Sequence, residues 1–222
     1  MVAATMSHDP IAFLKETFPA LHQKGMALLE QKAASGSNLA KTMLENCKSV
    51  VGQARIDFTG RGTLYVLARD GKVEVADAPF SGAAVKIAAE VPADAAEIVL
   101  GEAMSESALE DEKLLMGLTQ VANAELEKAL AGRPMTCHLT IADSPDLGDV
   151  TVKVGFNVEE PPASPQFTAR LEYDDLEDLR AGDVNLQQLF MGGKMRMTGD
   201  YSVAMQVGMQ LAMRAQQLKA QG

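Results

Sequence analysis

Apolar and polar residues alternate in two separate blocks of the chain, and this alternation restricts the fold more than any other sequence feature. The first block begins near Val50 and the second near Thr136. A period of two residues is typical of β-strands that bury one face, whereas the remaining stretches mostly have the longer period of helices. The apolar positions of the leading strands are Ala54, Ile56 and Phe58 in the first block and Cys137, Leu139 and Ile141 in the second.

The grouping of these strands predicts the fold class. Strands and helices in separate groups favour an α+β fold over a succession of βαβ units. Clean alternation favours largely antiparallel sheets with one face covered by helices and the other in water. Asp70-Gly71 is a strong hairpin signal between two such strands.

Helical periodicity dominates the N-terminus and the region between the two blocks. Residues up to about 48 predict helices, and we expect Pro19 to divide the first of them because a mid-helix proline removes a hydrogen bond. One continuous helix is predicted from about Ser105 to Leu130, where Gly132 and Pro134 follow and stop it.

The two blocks form a weak internal repeat. The strand at Val85, Ile87 and Ala89 corresponds in position to a strand at Phe167, Ala169 and Leu171. Repetition of this kind indicates two related units in tandem. We therefore predict an N-terminal helical segment at 1–48, one unit at 49–131 and a second unit at 132–222.

Composition excludes several classes of partner and location. The chain has 222 residues and a net charge of −10, and an acidic surface repels nucleic acid and anionic membranes. No apolar run reaches the ~18 residues of a membrane span, and the N-terminal residues show no secretory signal. Cys47 and Cys137 form no CxxC pair, which favours a cytoplasmic protein with both thiols buried. We expect no nucleic-acid partner and no stable membrane insertion.

The side chains that could bind a metal are scattered. His8, His22 and His138 lie in different segments. Cys137 and His138 are neighbours, but neighbours on a strand point to opposite faces and cannot hold one ion. The acidic run that follows Glu172 lacks the pattern of a calcium loop and is typical of a first helical turn, where the dipole favours acids.

Nucleotide-binding and nucleophile motifs are incomplete. The turn Gly60-Arg-Gly62 opens a strand rather than a helix and lacks the third glycine of a dinucleotide fingerprint. Gly192-Gly193-Lys194 is followed by Met195, where a P-loop needs Ser or Thr to bind magnesium. No Gly-x-Ser-x-Gly elbow is present. We therefore predict no catalytic residues, no metal and no cofactor, and a protein that is not an enzyme.

Six of the thirteen methionines lie between residues 185 and 214. This stretch predicts a helix end, a Gly-Gly turn, a short strand, a Gly-Asp corner and a long helix. Alternation places Met195 and Met197 on one strand face, while Met205 and Met209 lie four residues apart on the helix. Methionine fits irregular apolar shapes. Two interpretations follow: an adaptable apolar cavity, or an ordinary core that is rich in methionine.

The run Leu189-Phe190-x-Gly-Gly-Lys194-Met-Arg-Met-x-Gly199-Asp200, before a helix of small and apolar residues, resembles the closing motif of sterol-carrier-protein-2-like domains. The resemblance covers about residues 134–218 and includes Gly182, which ends a short helix. Residues 48–118 resemble the family more weakly. At the position that corresponds to the Gly-Asp corner, this part of the chain has Leu118 and Thr119.

The resemblance implies a curved sheet covered by helices on one face. It also implies non-covalent binding of sterols, fatty acyl chains or other lipids in a tunnel between the sheet and the last helix. Lys194 and Arg196 would lie on the outer strand face, at a rim where a headgroup could meet them. Carried over by position, the apolar lining would consist of Phe190, Met195, Met197, Met205, Met209 and Met213.

The leading prediction is therefore a carrier of a lipid or another fatty-acyl or sterol-like small molecule, built from two sterol-carrier-like units. The second unit would bind the ligand and the first would be a degenerate partner. The alternative prediction is a structural or protein-interaction module with a methionine-rich core and no ligand. In that case the two halves pack together or the chain forms a homodimer.

Overall fold

The computed structural model describes residues 9–105, 108, 110–121, 123–181, 183–184 and 186–220; His8, Gly182 and Asn185 lie outside them. The strands are β1 Val51–Thr59, β2 Gly62–Arg69, β3 Lys72–Ala76, β4 Val85–Pro92, β5 Met135–Ser144, β6 Gly148–Phe156, β7 Phe167–Glu172 and β8 Arg196–Gly199. The α-helices are α1 Pro10–Ala12, α2 Phe18–Ala34, α3 Asn38–Ser49, α4 Ala96–Leu100, α5 Glu112–Leu118, α6 Ala124–Leu130, α7 Tyr173–Ala181, α8 Leu186–Met191 and α9 Ser202–Ala220.

The N-terminal helices start from a proline cap. The Asp9 side chain accepts a hydrogen bond from the Ile11 backbone N–H at 3.1 Å, and Pro10 occupies the first helical position. A π-helical segment, Phe13–Thr17, joins α1 to α2, and Pro19 lies in the first turn of α2. A missing N–H costs little at that position. The division predicted at Pro19 is wrong, because α2 runs through this residue and the change of helical pitch lies before it, at Phe13–Thr17.

The first strand block forms a meander with a parallel addition. β1 pairs antiparallel with β2, β2 pairs antiparallel with β3, and β4 returns to lie parallel to β1. The hairpin predicted at Asp70-Gly71 is confirmed, since both residues have positive φ, 53° and 71°. Two central residues with positive φ give the turn whose twist matches that of the strands.

The second block repeats part of this pairing. β5 pairs antiparallel with β6, and β7 lies parallel to β5, as β4 lies parallel to β1. β8 then adds antiparallel to β7 at the edge of the sheet. β4 and β6 pair antiparallel, so both blocks belong to one sheet in the order β3-β2-β1-β4-β6-β5-β7-β8. The predicted α+β class with a largely antiparallel sheet is confirmed, whereas the division into two units stays a prediction.

The helices cover one face of this sheet. The apolar face of β1, β2 and β6 packs against the N-terminal helices in one cluster that includes Phe13, Leu21, Phe58, Leu64 and Val152. On the other face, the loop after β6 crosses the strands. There the His138 ring nitrogen Nε2 lies 2.8 Å from the Pro162 carbonyl oxygen, which places the imidazole on the face opposite the apolar cluster.

The single helix predicted from Ser105 to Leu130 is wrong, because α5 and α6 are separate helices. Asn123 lies between them, and its side-chain oxygen accepts hydrogen bonds from the Glu125 and Leu126 backbone N–H groups at 3.0 and 3.2 Å. An asparagine that caps in this way starts a new helix. Within the described residues, no helix is both long and apolar enough to cross a membrane.

Candidate functional site

The open end of the β1–β2 hairpin carries unusually small side chains on its helix-covered face. Gly52 pairs with Ala68, and Ala54 pairs with Val66. Nearer the turn the same face carries larger residues. Ile56 pairs with Leu64, and Phe58 lies opposite Gly62. Small residues side by side leave the covering helices short of packing partners. The result is a crevice of about 70 Å³ between this end of the sheet and helix α6.

The walls of this crevice are apolar. Val50 contributes from the junction of α3 and β1, Ile87 contributes from β4, and Phe156 contributes from the end of β6. Leu126 and Leu130 of α6 form the roof. The crevice therefore joins three parts of the chain: a floor from the first strand block, a wall from the second, and the short helix between them.

Several polar side chains at the rim form hydrogen bonds with backbone groups. The Gln53 amide nitrogen donates to the Phe80 and Ala83 carbonyls, and its oxygen accepts from the Phe80 N–H. Asn123 caps α6, and the Asn157 amide nitrogen donates to the Arg133 carbonyl at 3.0 Å. These side chains hold loops and the helix end in place, so they shape the mouth of the crevice and are not available as ligand groups.

Lys86 and Glu127 are the charged pair at the mouth. The Lys86 ammonium lies 4.0 Å from the Glu127 carboxylate, and each side chain is 36% exposed. The Lys86 stem lies flat over Gly52, because a Cβ atom on Gly52 would come within 2.6 Å of the Lys86 Cγ. The absence of a side chain at Gly52 thus leaves room for the Lys86 stem across β1.

An apolar cluster packs between α9 and the sheet. Val207 is only 4% exposed and packs against Phe167 and Ala169 of β7. Leu126, Leu130 and Phe156 belong to this same apolar cluster, so the crevice and the packed region beneath α9 share a boundary. The cluster is completed by Tyr201, which precedes α9, and by three residues of α9, Val203, Ala204 and Leu211.

The predicted lining residues fall into two groups. Phe190 is half-buried and meets Tyr201 edge to face at 6.1 Å between ring centroids. Met195 packs against the cluster of Ile141, Leu171 and Leu189. Met197 packs against the cluster beneath α9. None of these three borders the crevice under α6, and their lining role stays a prediction.

The methionines of α9 lie elsewhere. Met209 follows Val207 by two residues, about 200° around the helix axis, and therefore faces away from the sheet. Met209 is 60% exposed and Met213 is 56% exposed, whereas Met205 is half-buried. The structure does not bring Met209 and Met213 together with Met195 and Met197, and their lining role stays a prediction.

Of the two predicted rim cations, Lys194 has strong internal partners. Its ammonium lies 2.6 Å from the carboxylate of buried Asp175 and 3.8 Å from that of Asp178. The Asp175 hydrogen bond raises the pKa of Lys194, so the ammonium stays charged and paired. Arg196 is exposed on β8, and its strand partner is Arg170. The acidic run after Glu172 thus serves in part as a partner for Lys194.

The cysteines are protected thiols. Cys47 is buried, and its sulfur donates to the Thr119 carbonyl and accepts from the Gln120 amide, both at 3.2 Å. Burial raises the pKa of Cys137 to about 11, and burial also raises the pKa of Cys47. Burial lowers the pKa of His22, which packs against Phe18. In the part of the chain that the structure describes, no three His, Cys, Asp or Glu side chains group to hold a metal ion.

Comparison with known proteins gives one family. Residues 118–212 match the model of the SCP-2 sterol transfer family. That span includes α6, strands β5 to β8 and the first part of α9. The match confirms the resemblance in the second half of the chain, and it begins before the predicted boundary at residue 132. No curated protein matches the chain.

Two solved structures are similar to parts of the chain. One is the solution structure of the sterol carrier protein domain 2 of Helicoverpa armigera, at 23% identity and a TM-score of 0.28, over 54% of this chain and 82% of that one. The other is the apo form of sterol carrier protein 2 from Yarrowia lipolytica, at 20% identity and a TM-score of 0.26, over 36% and 67%.

Proposed function

We propose that this protein binds a lipid or another apolar small molecule, without chemical change, between its sheet and the helices α6 and α9. The observation that carries the proposal is the match of residues 118–212 to the SCP-2 sterol transfer family. These residues supply the roof of the crevice and one of its walls, because Leu126, Leu130 and Phe156 lie within the matched span.

The driving force would be burial of apolar surface. Each methylene group removed from water contributes about 0.8 kcal/mol, less the cost of ordering the ligand. Known ligand pockets have volumes of roughly 300–1,000 Å³, and the crevice has about 70 Å³. An alkyl chain would therefore enlarge the crevice by moving Leu126, Leu130 and Phe156, which border the packed cluster beneath α9. Displacement of these three side chains would join the two spaces.

The proposal requires no covalent step. Both cysteines have raised pKa values and remain thiols at neutral pH, and thiols are far weaker nucleophiles than thiolates. The proposed role is that of a carrier or store, and the ligand would leave unchanged.

Two residue assignments from the resemblance belong to this proposal. Phe190, Met195 and Met197 would line the end of the enlarged space nearest β8. Met205, Met209 and Met213 would join them only if α9 turned on its axis, and Lys194 or Arg196 would then meet a headgroup; with α9 in its present orientation, Met209 and Met213 stay outside the binding space. Lys194 would first have to leave Asp175, which it contacts at 2.6 Å.

We also propose that 49–131 and 132–222 are two versions of one unit, after the helical segment at 1–48. The support is the repeated pairing: β1, β2 and β4 have the same arrangement as β5, β6 and β7. Each unit then borders the other, since β4 of the first pairs with β6 of the second. In this view the first unit supplies the floor of the crevice.

A second candidate function is a protein-interaction module. The observation that favours it is the exposure of large apolar side chains on α8 and α9. Exposed apolar patches mark interaction surfaces more often than chance. Light scattering over a range of protein concentrations tests it, since self-association through these side chains gives a rising mass. The exposed residues are Leu186, Met191, Met209 and Met213.

Native mass spectrometry of the freshly purified chain tests the carrier proposal. We expect a second species whose added mass is that of a co-purified lipid, and we expect Nile red, a neutral apolar dye, to become fluorescent on binding. A single mass for the unliganded chain, together with no dye response, would contradict the carrier proposal and favour the interaction module.

A further inference from the structure

Among the residues that the structure describes at the rim of the crevice, Lys86 is a cation with a weak ion-pair partner. Gln53, Asn123 and Asn157 hold backbone groups, which leaves Lys86 and Glu127. Their charged atoms are 4.0 Å apart, at the outer limit of an ion pair, and both side chains are partly exposed. Exposed pairs of this kind contribute little to stability. Exchange of Glu127 for another anion would therefore cost the protein little.

The position of Lys86 suits it for such an exchange. Its backbone is fixed, because the Lys86 carbonyl accepts a hydrogen bond from the Asn157 N–H at 2.8 Å. Its apolar stem crosses Gly52 on the crevice floor, and its ammonium reaches the mouth. A long lysine side chain commonly packs its stem on apolar surface while the charge stays in water. An amphipathic ligand has the same division, with an apolar chain inside and a charged group at the mouth.

We propose that Lys86 binds the carboxylate of a single-chain amphiphile, such as a fatty acid, whose alkyl chain occupies the crevice; this rests on the proposed carrier function. The carboxylate replaces Glu127 as the partner of Lys86. The protein carries a net charge of −10, so a local cation is needed for an anion to bind there. Lys194 is less suited, because buried Asp175 already lies 2.6 Å from its ammonium.

Paired ligands of equal chain length test this assignment. Dodecanoate and dodecan-1-ol would each be titrated against protein loaded with Nile red, and dye displacement gives each affinity. Lys86→Met keeps the apolar stem and removes the charge. We expect it to weaken dodecanoate binding roughly threefold to fivefold and to change dodecanol binding by less than about twofold. Glu127→Gln removes the competing anion and should strengthen dodecanoate binding.

Lys153→Met is the matched control. Lys153 is 33% exposed, close to the value for Lys86, and it pairs with Glu90 on the sheet face opposite the crevice. This variant has the same change in net charge and should leave both affinities unchanged. In the unmodified protein, added NaCl should weaken dodecanoate binding and spare dodecanol binding, because salt screens exposed charges.

The outcomes separate the two proposals. If dodecanol binds but Lys86→Met leaves dodecanoate binding unchanged, or Lys153→Met weakens it equally, the headgroup assignment is wrong and the carrier function stands. If the unmodified protein takes up neither ligand nor dye, the carrier function is wrong and the headgroup assignment is wrong with it. Salt dependence needs no variant, so equal binding of dodecanoate at low and high salt would contradict the headgroup assignment even if Lys86→Met folds poorly.

Discussion

The hairpins β1–β2 and β5–β6 have the same strand pairing, but their open ends differ in side-chain volume. The first carries Gly52 opposite Ala68. The second carries Met135 opposite Phe156, both in the cluster packed beneath α9. The small pair borders the crevice under α6, whereas the large pair belongs to the apolar cluster between α9 and the sheet. Strand pairing therefore sets the frame of a site, while a few side-chain volumes decide where space remains.

A second difference concerns which part of the chain lines the crevice. The family match covers residues 118–212, yet the crevice floor lies in β1 and β2, outside that span. The matched region provides the roof residues Leu126 and Leu130. Under our account the two halves therefore build one site together, and the first half does more than accompany the second.

The largest effect is expected from a charge placed beneath α9. Val207→Asp would bury an unpaired carboxylate and lower the free energy of unfolding by about 3 kcal/mol or more. Met209→Asp, on the exposed side of the same helix, should change it by no more than about 0.5 kcal/mol. Urea unfolding measures both. Equal losses would mean that α9 does not contact the sheet through Val207.

The same increase in side-chain volume should lower the free energy of unfolding by different amounts in the two regions. Ala169→Leu overpacks the closed cluster and should cost about 1–3 kcal/mol. Ala68→Leu enters the crevice and should cost less than about 1 kcal/mol, because free volume is already present there. Urea unfolding of the two variants gives the comparison directly. A larger loss for Ala68→Leu would contradict the difference in packing.

Removal of the helix cap over the crevice should have a smaller effect on the free energy of unfolding. Asn123→Ala removes the side-chain oxygen that accepts from two N–H groups of α6, and loss of such a cap costs about 1 kcal/mol. Because α6 roofs the crevice, dye affinity should change together with stability. The matched control is Ser37→Ala, which removes the cap of α3 at the Ala40 N–H and should leave dye affinity unchanged. Equal effects of the two variants on dye affinity would contradict the roof role.

The smallest effect concerns Cys137 beneath α9. Its pKa in the folded protein is raised to about 11 by burial, above the value of about 8.5 for a free thiol. The thiol therefore contributes stability below about pH 8.5, and this contribution is lost as pH rises toward 11. Over that pH range, the free energy of unfolding measured with urea should fall more for the unmodified protein than for Cys137→Ala. Equal slopes would contradict a closed, apolar environment around the sulfur.

Much of the fold could be predicted from local patterns. Alternation correctly assigns the buried face of the strands, and Asp70-Gly71 correctly gives the hairpin. Helix boundaries could not be predicted as well. The break at Asn123 depends on one side chain capping two N–H groups, a contact that competes with an otherwise continuous helical period.

The site was harder to predict for two physical reasons. On α9, Met205 and Met209 share one side, but Val203, Val207 and Leu211 share the other, and spacing alone cannot tell which side meets a sheet. The crevice itself follows from the register that places Gly52 beside Ala68, residues sixteen positions apart. The signal available in the sequence was the cluster of small residues at one strand end, which indicates missing volume only once the pairing is known.

The central claim is that ligand binds in the crevice floored by the first half and roofed by α6. The most direct measurement is the affinity for Nile red and dodecanoate of two variants, Ala68→Leu and Met209→Arg, each checked for an unchanged unfolding midpoint. We predict that Ala68→Leu weakens binding at least about tenfold and that Met209→Arg leaves it within about twofold. Loss of binding in Met209→Arg with normal binding in Ala68→Leu would contradict the claim and place the ligand at α9.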